Sequence, residues 1–309
     1  MAYILLILGF VLLVKGADLF VEGSSSVAKL LRIPTIIIGL TIVAFGTSAP
    51  ELAVSVSAAL SGSNDIAVGN VIGSNIFNLM MVIGVCALLA PMPMDKKILN
   101  GDYLLAILAA AVMLLLFGFD HHLSRLDGII LLIIFAYFMV KTIRNALKNR
   151  TTAGDEEEIR VLSPFLSTVY IIVGLAAIVM GGDLVVDNAS IIAASFGLSE
   201  TLIGLTVVAF GTSLPELVTS MVASKKGENG LALGNVIGSN LFNILLVLAT
   251  SAAISPMKVD VLSTFDALFL IAVSILVWFM AKKDCQISRF RGAIMVALYL
   301  AYTVYIIMR

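Results

Sequence analysis

The chain of 309 residues is 60% hydrophobic and only 13% charged, and its mean hydropathy of +1.10 excludes a soluble globular domain. This composition indicates a polytopic membrane protein. The net charge of −1 implies no basic surface for nucleic acid, and the two cysteines, Cys86 and Cys285, suggest neither a disulfide framework nor a metal site.

Ten apolar runs are each long enough to cross about 30 Å of hydrocarbon, which requires roughly 20 helical residues. They lie near residues 2–24, 34–60, 66–90, 99–119, 125–145, 163–187, 199–224, 231–255, 262–281 and 290–308. The first run has no basic leader and no cleavage pattern, so we expect a retained span rather than a signal peptide. The predicted fold is an all-α membrane protein with ten transmembrane helices.

Basic residues in the predicted loops lie mostly on one side of the membrane. The opposite side receives only Arg125, Lys258 and Arg309. Because Lys and Arg are concentrated in cytoplasmic loops, this distribution predicts that both termini lie outside the cell membrane. It also predicts that the polar segment 148–162 is a cytoplasmic linker.

The chain repeats itself with an offset of 165 residues, since 216 − 51 = 165. The two copies align without gaps from Val14 to Leu79, and about half of the paired positions are identical, which indicates an internal duplication. Matched polar pairs are Glu51 and Glu216, Asp18 and Asp183, and Asn78 and Asn243.

Each half of the chain holds five predicted spans, with the first repeat at 1–147 and the second at 163–309. Because five is odd, the second half enters the membrane from the side opposite to the first. Inverted repeats of this kind are typical of secondary transporters, whose binding site lies between the repeats near the midplane.

A first motif places proline and glutamate inside the second span of each half, as AFGTSAPEL at 44–52 and AFGTSLPEL at 209–217. Proline removes a backbone donor and glycine loosens the turn, so the helix is predicted to break there. Irregular backbone is tolerated in a membrane only where it is buried in protein or lines a cavity. Candidate oxygen ligands are the carbonyls of Ala44 and Ala209 and the side chains of Thr47, Ser48, Glu51, Thr212, Ser213 and Glu216.

A second motif follows in the third span of each half, as GNVIGSNIFN at 69–78 and GNVIGSNLFN at 234–243. It adds the hydroxyl and amide oxygens of Ser74, Asn75, Asn78, Ser239, Asn240 and Asn243. For Ser74, Asn75, Ser239 and Asn240, packing between helices is an equally good interpretation.

The two intramembrane glutamates require a compensating charge. A charged side chain at the centre of a membrane helix costs about 2.5 to 3.5 kcal/mol, and no basic residue lies near Glu51 or Glu216 in their own spans. A bound cation supplies that charge. An all-oxygen site without cysteine or histidine suits Ca²⁺ or Na⁺ rather than zinc or copper, and two carboxylates balance one divalent ion or two monovalent ions.

These motifs resemble the paired repeats G-T-S-x-P-E and G-N-x-x-G-S-N-x-x-N/D of the sodium/calcium exchanger family in the cation/calcium antiporter superfamily. The resemblance covers essentially the whole chain and is closest to the prokaryotic type. It implies ten helices, with the second and third of each half broken around the ion site, and a tilted pair of first helices that slides to alternate access.

The same resemblance implies the ion ligands. Glu51 and Glu216 are expected to be the central ligands, and the site is expected to be completed by Thr47, Thr212, Ser48, Ser213, Ser74, Ser239, Asn78 and Asn243 and by backbone oxygen from Ala44 and Ala209. Potassium-dependent relatives carry aspartate where this chain has Asn243, so we expect exchange without potassium.

The resulting functional hypothesis is antiport of Na⁺ against Ca²⁺, normally exporting Ca²⁺, with no cofactor and no obligatory protein partner. Proton/calcium exchange is the alternative, because the same glutamates can carry protons between calcium cycles. A passive cation channel is a more distant alternative. An enzyme is not expected, because the sequence offers neither a nucleophile and base pair nor a metal triad.

Two acids of the first span, Asp18 and Glu22, lie on one helix face. Lys15 is three residues from Asp18, so an ion pair within the helix or a hydrated rim is the first interpretation. A role in admitting ions is the alternative.

Overall fold

Helices make up nearly all of the structure. The computed structural model describes residues 1–94, 96–148, 161–197 and 209–308. The helices are α1 Ala2–Leu31, α2 Thr35–Thr47, α3 Ala49–Leu60, α4 Asn64–Leu89, α5 Lys96–Phe117, α6 Arg125–Lys148, α7 Pro164–Ser195, α8 Ala209–Gly211, α9 Leu214–Lys225, α10 Asn229–Ile254, α11 Val261–Lys282 and α12 Arg289–Met308. Short strands are β1 Met92–Pro93, β2 His122–Leu123, β3 Met257–Lys258 and β4 Gln286–Ile287. The predicted all-α class is confirmed.

Among the described residues, eight helices are long and apolar enough to cross a membrane, or nine when the bent pair α2 and α3 counts as one span. The predicted seventh span, 199–224, begins in residues 198–208, which lie outside the described part, and α9 forms its C-terminal portion. Most of the predicted linker, residues 149–160, also lies outside the described part. The repeat boundaries therefore stay predictions.

The long helices α1 and α7 pack against each other in opposite directions through glycine. A Cβ atom added at Gly9 would lie 2.9 Å from the carbonyl oxygen of Gly181, and one added at Gly16 would lie 2.8 Å from that of Gly174. Residue numbers fall along α7 as they rise along α1. The first helices of the two halves are thus antiparallel, as inverted repeats require.

The strands tie the halves together twice. β1 pairs with β4 and β2 pairs with β3, both antiparallel. Because 92 + 165 = 257, β3 is the repeat counterpart of β1, and because 122 + 165 = 287, β4 is the repeat counterpart of β2. The halves are therefore connected twice, once at each end of α5 and so once on each face of the molecule.

The second span bends by 47° between α2 and α3, at Ser48. Pro50 lies in the first turn of α3, where a residue without a backbone donor starts a helix but cannot continue one. The bend separates the two parts of the span at the first motif.

The third span requires a correction, because the predicted break is absent from the described residues. α4 and α10 each run without interruption, and each only widens into a π-helical turn, at Asn78–Val82 and Asn243–Leu248 respectively. Neither helix contains proline, so every backbone donor is kept, and both helices tolerate one wide turn without breaking. The wide turn begins at the last asparagine of the second motif in both halves.

Helices α4 and α10 form the centre of the protein. In the most apolar stretch of each helix, 78% of the residues of α4 and 94% of those of α10 are buried. The corresponding value is at most 39% in the other long apolar helices. Glycine again permits close contact, since a Cβ atom added at Gly238 of α10 would lie 2.7 Å from the Cβ of Ala44 in α2. The second motif of one half thus packs on the first motif of the other.

Candidate cation site

Two glutamates lie in equivalent places, at the start of a helix in the first motif of each half. Glu51 is in the first turn of α3 and Glu216 is in the first turn of α9, each after a proline. The positive end of a helix dipole favours a carboxylate at this position. Both residues are completely buried, so neither charge is solvated by bulk water.

Each glutamate accepts a hydrogen bond from the serine of the opposite half. Ser48 Oγ donates to Glu216 Oε1 at 3.1 Å, and Ser213 Oγ donates to Glu51 Oε1 at 3.3 Å. The two contacts are related by the 165-residue offset. This exchange of partners joins the two copies of the first motif into one polar centre at the interface between the halves.

The second oxygen of each carboxylate is left without a partner. Oε2 of Glu51 and Oε2 of Glu216 are buried and accept no hydrogen bond from any described residue. None of the ion pairs within the described ranges includes either glutamate. A buried carboxylate without a partner is strongly unfavourable, and a cation between the two unpaired oxygens would remove that cost.

The threonines of the first motif connect it to the second. Thr47 Oγ1 lies 3.0 Å from Asn235 Oδ1, to which it donates, and 3.4 Å from Ser239 Oγ. Thr212 Oγ1 donates to Asn70 Oδ1 at 3.4 Å. Each threonine thus contacts the third span of the other half, which joins the first motif of one half to the second motif of the other.

Two asparagines that the sequence analysis did not single out, Asn70 and Asn235, hold this arrangement. Asn70 Nδ2 donates to the backbone oxygen of Glu51 at 3.3 Å, and Asn235 Nδ2 donates to that of Glu216 at 3.4 Å. Both amides also bond a serine one turn beyond the glutamate, at 2.8 Å for Ser55 and 3.0 Å for Ser220. Their identity at the 165-residue offset, within the second motif, was the signal that could have revealed them.

The asparagines at the end of the second motif differ in their bonding. Asn243 Nδ2 donates to Asn75 Oδ1 at 3.1 Å, and Asn243 Oδ1 is buried without a partner. Both polar atoms of the Asn78 side chain are buried and unpartnered among the described residues. Asn75 and Asn240 bond each other across the interface, which favours packing as their role over direct ion binding.

The remaining predicted ligands are two serines of the second motif and two backbone oxygens of the first. Ser74 and Ser239 are buried in α4 and α10. The backbone oxygen of Ala44 is not freed by the bend, because it accepts from Ser48 N at 3.0 Å within the helix. Ala209 begins the short helix α8, which leads into the second copy of the first motif.

The acidic pair of α1 has a different partner from the one predicted. Lys226, just after α9, places Nζ 2.6 Å from Asp18 Oδ1 and 3.8 Å from Glu22 Oε2. Lys226 Nζ also donates to the backbone oxygen of Asp18 at 3.1 Å. The ion pair with Lys15 is absent from the described residues, because Lys226 at the end of α9 pairs with the acids instead. Both acids stay partly exposed, which agrees with the other interpretation, a hydrated rim.

Sequence comparison finds similar proteins along nearly the whole chain. A family profile described as sodium/calcium exchanger protein matches residues 1–144 and 166–308. The inner membrane protein YrbG of Escherichia coli K12 is 39% identical over 85% of this chain and 83% of its own. The sodium/calcium exchanger MaX1 of Methanosarcina acetivorans is 35% identical over 98% of this chain and 97% of its own.

The fold is also similar to a solved structure. The sodium-calcium exchanger NCX_Mj, in crystals soaked with zero Na⁺ and Ca²⁺, superposes with a TM-score of 0.86 at 33% sequence identity. The match covers 99% of this chain and 98% of that chain. The similarity therefore extends through both halves and includes the interface where the two glutamates lie.

Proposed function

The chain belongs to the sodium/calcium exchanger family, and we propose that it is a secondary active antiporter that exchanges Na⁺ for Ca²⁺ across the cell membrane. The observation that supports this most strongly is the pair of buried glutamates, Glu51 and Glu216. Each is bonded by the other half and each retains one unpartnered oxygen. Such a centre is suited to a cation that is released again, not to a permanent structural charge.

We take the cation ligands to be the two glutamates and the neutral oxygens around them. Hydroxyl, amide and carbonyl oxygens are the ligands that Ca²⁺ and Na⁺ prefer. The proposed set is Glu51, Glu216, Thr47, Thr212, Ser48, Ser213, Ser74, Ser239, Asn78 and Asn243, with backbone oxygen from Ala209 and Ala44. The Ala44 oxygen accepts from Ser48 N and keeps a second lone pair for a cation.

Exchange follows from the charge of this centre. Two buried carboxylates are neutralised by one Ca²⁺ or by two Na⁺, whereas the empty, doubly charged state is costly in a low dielectric. The protein can then change the side to which its site opens readily only when the site is occupied. Coupled movement of Na⁺ and Ca²⁺ in opposite directions is the consequence.

The direction of Ca²⁺ transport and the need for potassium follow from the same charge argument. An inward Na⁺ gradient would drive Ca²⁺ out of the cell, with both termini on the outer side. With asparagine at position 243, the centre has two acids instead of three, so potassium is not needed for charge balance.

Proton/calcium exchange is the second candidate, because a carboxylate can release its cation by accepting a proton. Na⁺ is favoured by the neutral oxygens of Thr47 and Thr212, which bond the asparagines that hold the backbone of the two glutamates. Neutral oxygens contribute to binding Na⁺, whereas a proton needs only the carboxylate. A cation channel is disfavoured by the complete burial of both glutamates.

The test is ⁴⁵Ca²⁺ uptake into proteoliposomes that contain the purified protein. Vesicles loaded with Na⁺ and diluted into Na⁺-free buffer are compared with vesicles loaded with K⁺ and driven by a pH gradient. We expect rapid uptake only with internal Na⁺. Uptake driven by the proton gradient alone would replace sodium with protons as the coupling ion, and currents far above carrier turnover would indicate a channel.

A further inference from the structure

An asparagine clamp joins the central helices α4 and α10. Asn75 Nδ2 donates to the backbone oxygen of Asn240 at 3.2 Å, and Asn240 Nδ2 donates to the backbone oxygen of Asn75 at 3.3 Å. The side chains of Asn75 and Asn240 are 1% and 7% exposed, so water does not compete for these bonds. The clamp crosses the interface between the halves beside the proposed cation site.

The clamp fixes which way the amide of Asn75 faces. A backbone carbonyl can only accept, so the NH₂ group of Asn75 must face Asn240 and its Oδ1 must face the other way. That Oδ1 is the atom that accepts from Asn243 Nδ2 at 3.1 Å. The direction of one amide therefore determines the direction of the next.

Asn243 is oriented by this contact. With its NH₂ group bonded to Asn75, its Oδ1 lies on the opposite side of the amide, where it is buried and accepts no hydrogen bond from the described residues. A flipped amide would lose the bond to Asn75 and would present NH₂, which repels a cation. Asparagine is a cation ligand only when its oxygen is presented.

The equivalent contact in the other half is not made. Asn240 Oδ1 and both polar atoms of Asn78 are buried without a partner within the described ranges. Asn240 has the same bond to the opposite backbone as Asn75 does, but no ligand amide depends on it in this structure. The two asparagines of the clamp are therefore a matched pair that differs in one contact.

We propose that Asn75 is a positioning residue that holds the Asn243 amide with its oxygen available to the transported cation. The inference rests on the proposed function, in which Asn243 is a ligand. Asn75 does not itself contact the ion; it acts through Asn243. Asn240 contributes to the clamp alone.

The first experiment compares Asn75→Leu with Asn240→Leu. Each substitution removes one bond of the clamp, but only Asn75→Leu also releases Asn243. The Ca²⁺ dissociation constant of the purified protein is measured by isothermal titration calorimetry, and the melting temperature is measured in the same detergent. We expect about a five- to tenfold weaker affinity in Asn75→Leu and about a twofold change or less in Asn240→Leu, with similar melting temperatures.

The second experiment places both substitutions in an Asn243→Asp background. Aspartate carries oxygen at both positions, so its orientation no longer matters. Asn75→Leu should then leave the affinity for Ca²⁺ unchanged or raise it, because it also removes an oxygen that faces the new carboxylate. This loss of effect is the rescue that a purely structural role would not produce.

Two results would overturn the inference. Equal affinity losses in Asn75→Leu and Asn240→Leu would show that the clamp acts only by packing, as would an Asn75→Leu defect that persists in the Asn243→Asp background. Failure of the proposed function is separately visible, because the unsubstituted protein would then bind no Ca²⁺ or Glu51→Gln would bind it as well as the unsubstituted protein. In that case the inference fails with its premise.

Discussion

The two halves of the molecule are alike at their acids and unlike around them. Glu51 and Glu216 are equally buried, and each accepts a hydrogen bond from the opposite half. In contrast, Asn243 is held by a neighbouring amide, whereas Asn78 has no partner among the described residues. The comparison suggests that charge neutralisation is shared equally between the halves, while ligand orientation differs between them.

The largest expected effect comes from removing either acid. Glu51→Gln and Glu216→Gln each leave one buried carboxylate without its counterpart, so each should lower Ca²⁺ transport by roughly 100-fold or more. Uptake into Na⁺-loaded proteoliposomes measures this, and Asp65→Asn, at an exposed acid in α4, is the control that should transport normally. Unequal losses in correctly folded Glu variants would contradict the equal sharing of charge.

The next largest effect is expected where α1 packs on α7, the first helices of the two halves. In Gly174→Ala the new Cβ atom would lie 2.6 Å from the backbone nitrogen of Phe20 and 2.7 Å from the carbonyl oxygen of Gly16. Backbone atoms cannot move aside easily, so we expect a loss of about 1 to 3 kcal/mol in stability. Thermal melting in detergent measures it. Ile172→Ala, at an exposed position of the same helix, should change melting much less.

Asn243→Asp makes the halves differ in charge. A third carboxylate in the centre requires additional positive charge, so Ca²⁺ uptake should depend more strongly on monovalent cations, with about a tenfold change in apparent affinity for Na⁺ or K⁺. Concentration series of both ions measure the change, and Asn78→Asp is the matched substitution in the first half. An unaltered response to Na⁺, K⁺ and pH would remove residue 243 from the site.

The smallest effect is expected at the ion pair between α1 and the end of α9. Lys226 contacts Asp18 and Glu22, whereas the repeat counterpart of Lys226 is Ser61, since 226 − 165 = 61. Partly exposed ion pairs contribute about 0 to 1 kcal/mol, so Lys226→Met should change the apparent Ca²⁺ affinity by about fivefold or less.

Lys226→Met should change the apparent Ca²⁺ affinity more on one face of the membrane than on the other. Uptake assays with the protein in both orientations compare apparent affinities on the two faces, and Lys225→Met is the control. Only the Lys226 substitution should alter the ratio between the faces. The same ratio in both variants would mean that this ion pair does not distinguish the faces.

The acids, hydroxyls and duplication could be predicted because they depend on composition and on one fixed offset. A buried glutamate without a basic neighbour is unusual at any depth in a membrane, and its recurrence 165 residues later identifies a pair. The antiparallel arrangement of α1 and α7 followed from an odd number of spans per half. These features can be predicted without knowing which distant segments are in contact.

What could not be predicted depends on contacts between distant segments. That Ser48 bonds Glu216 rather than Glu51 is decided by how the two copies of the first motif pack, which no local pattern contains. The partner of Asp18, Lys226, is likewise far away in sequence. The resemblance implied a break in the third span, but α4 stays continuous through a wide turn.

The most direct measurement of the shared site is the number of Ca²⁺ ions bound per chain, determined by calorimetry in the unsubstituted protein, Glu51→Gln and Glu216→Gln. A single centre built from both halves predicts one Ca²⁺ per chain, displaced by Na⁺, and loss of that binding in either variant. Two Ca²⁺ per chain, with each variant keeping one, would mean that the halves bind ions separately and would contradict the account.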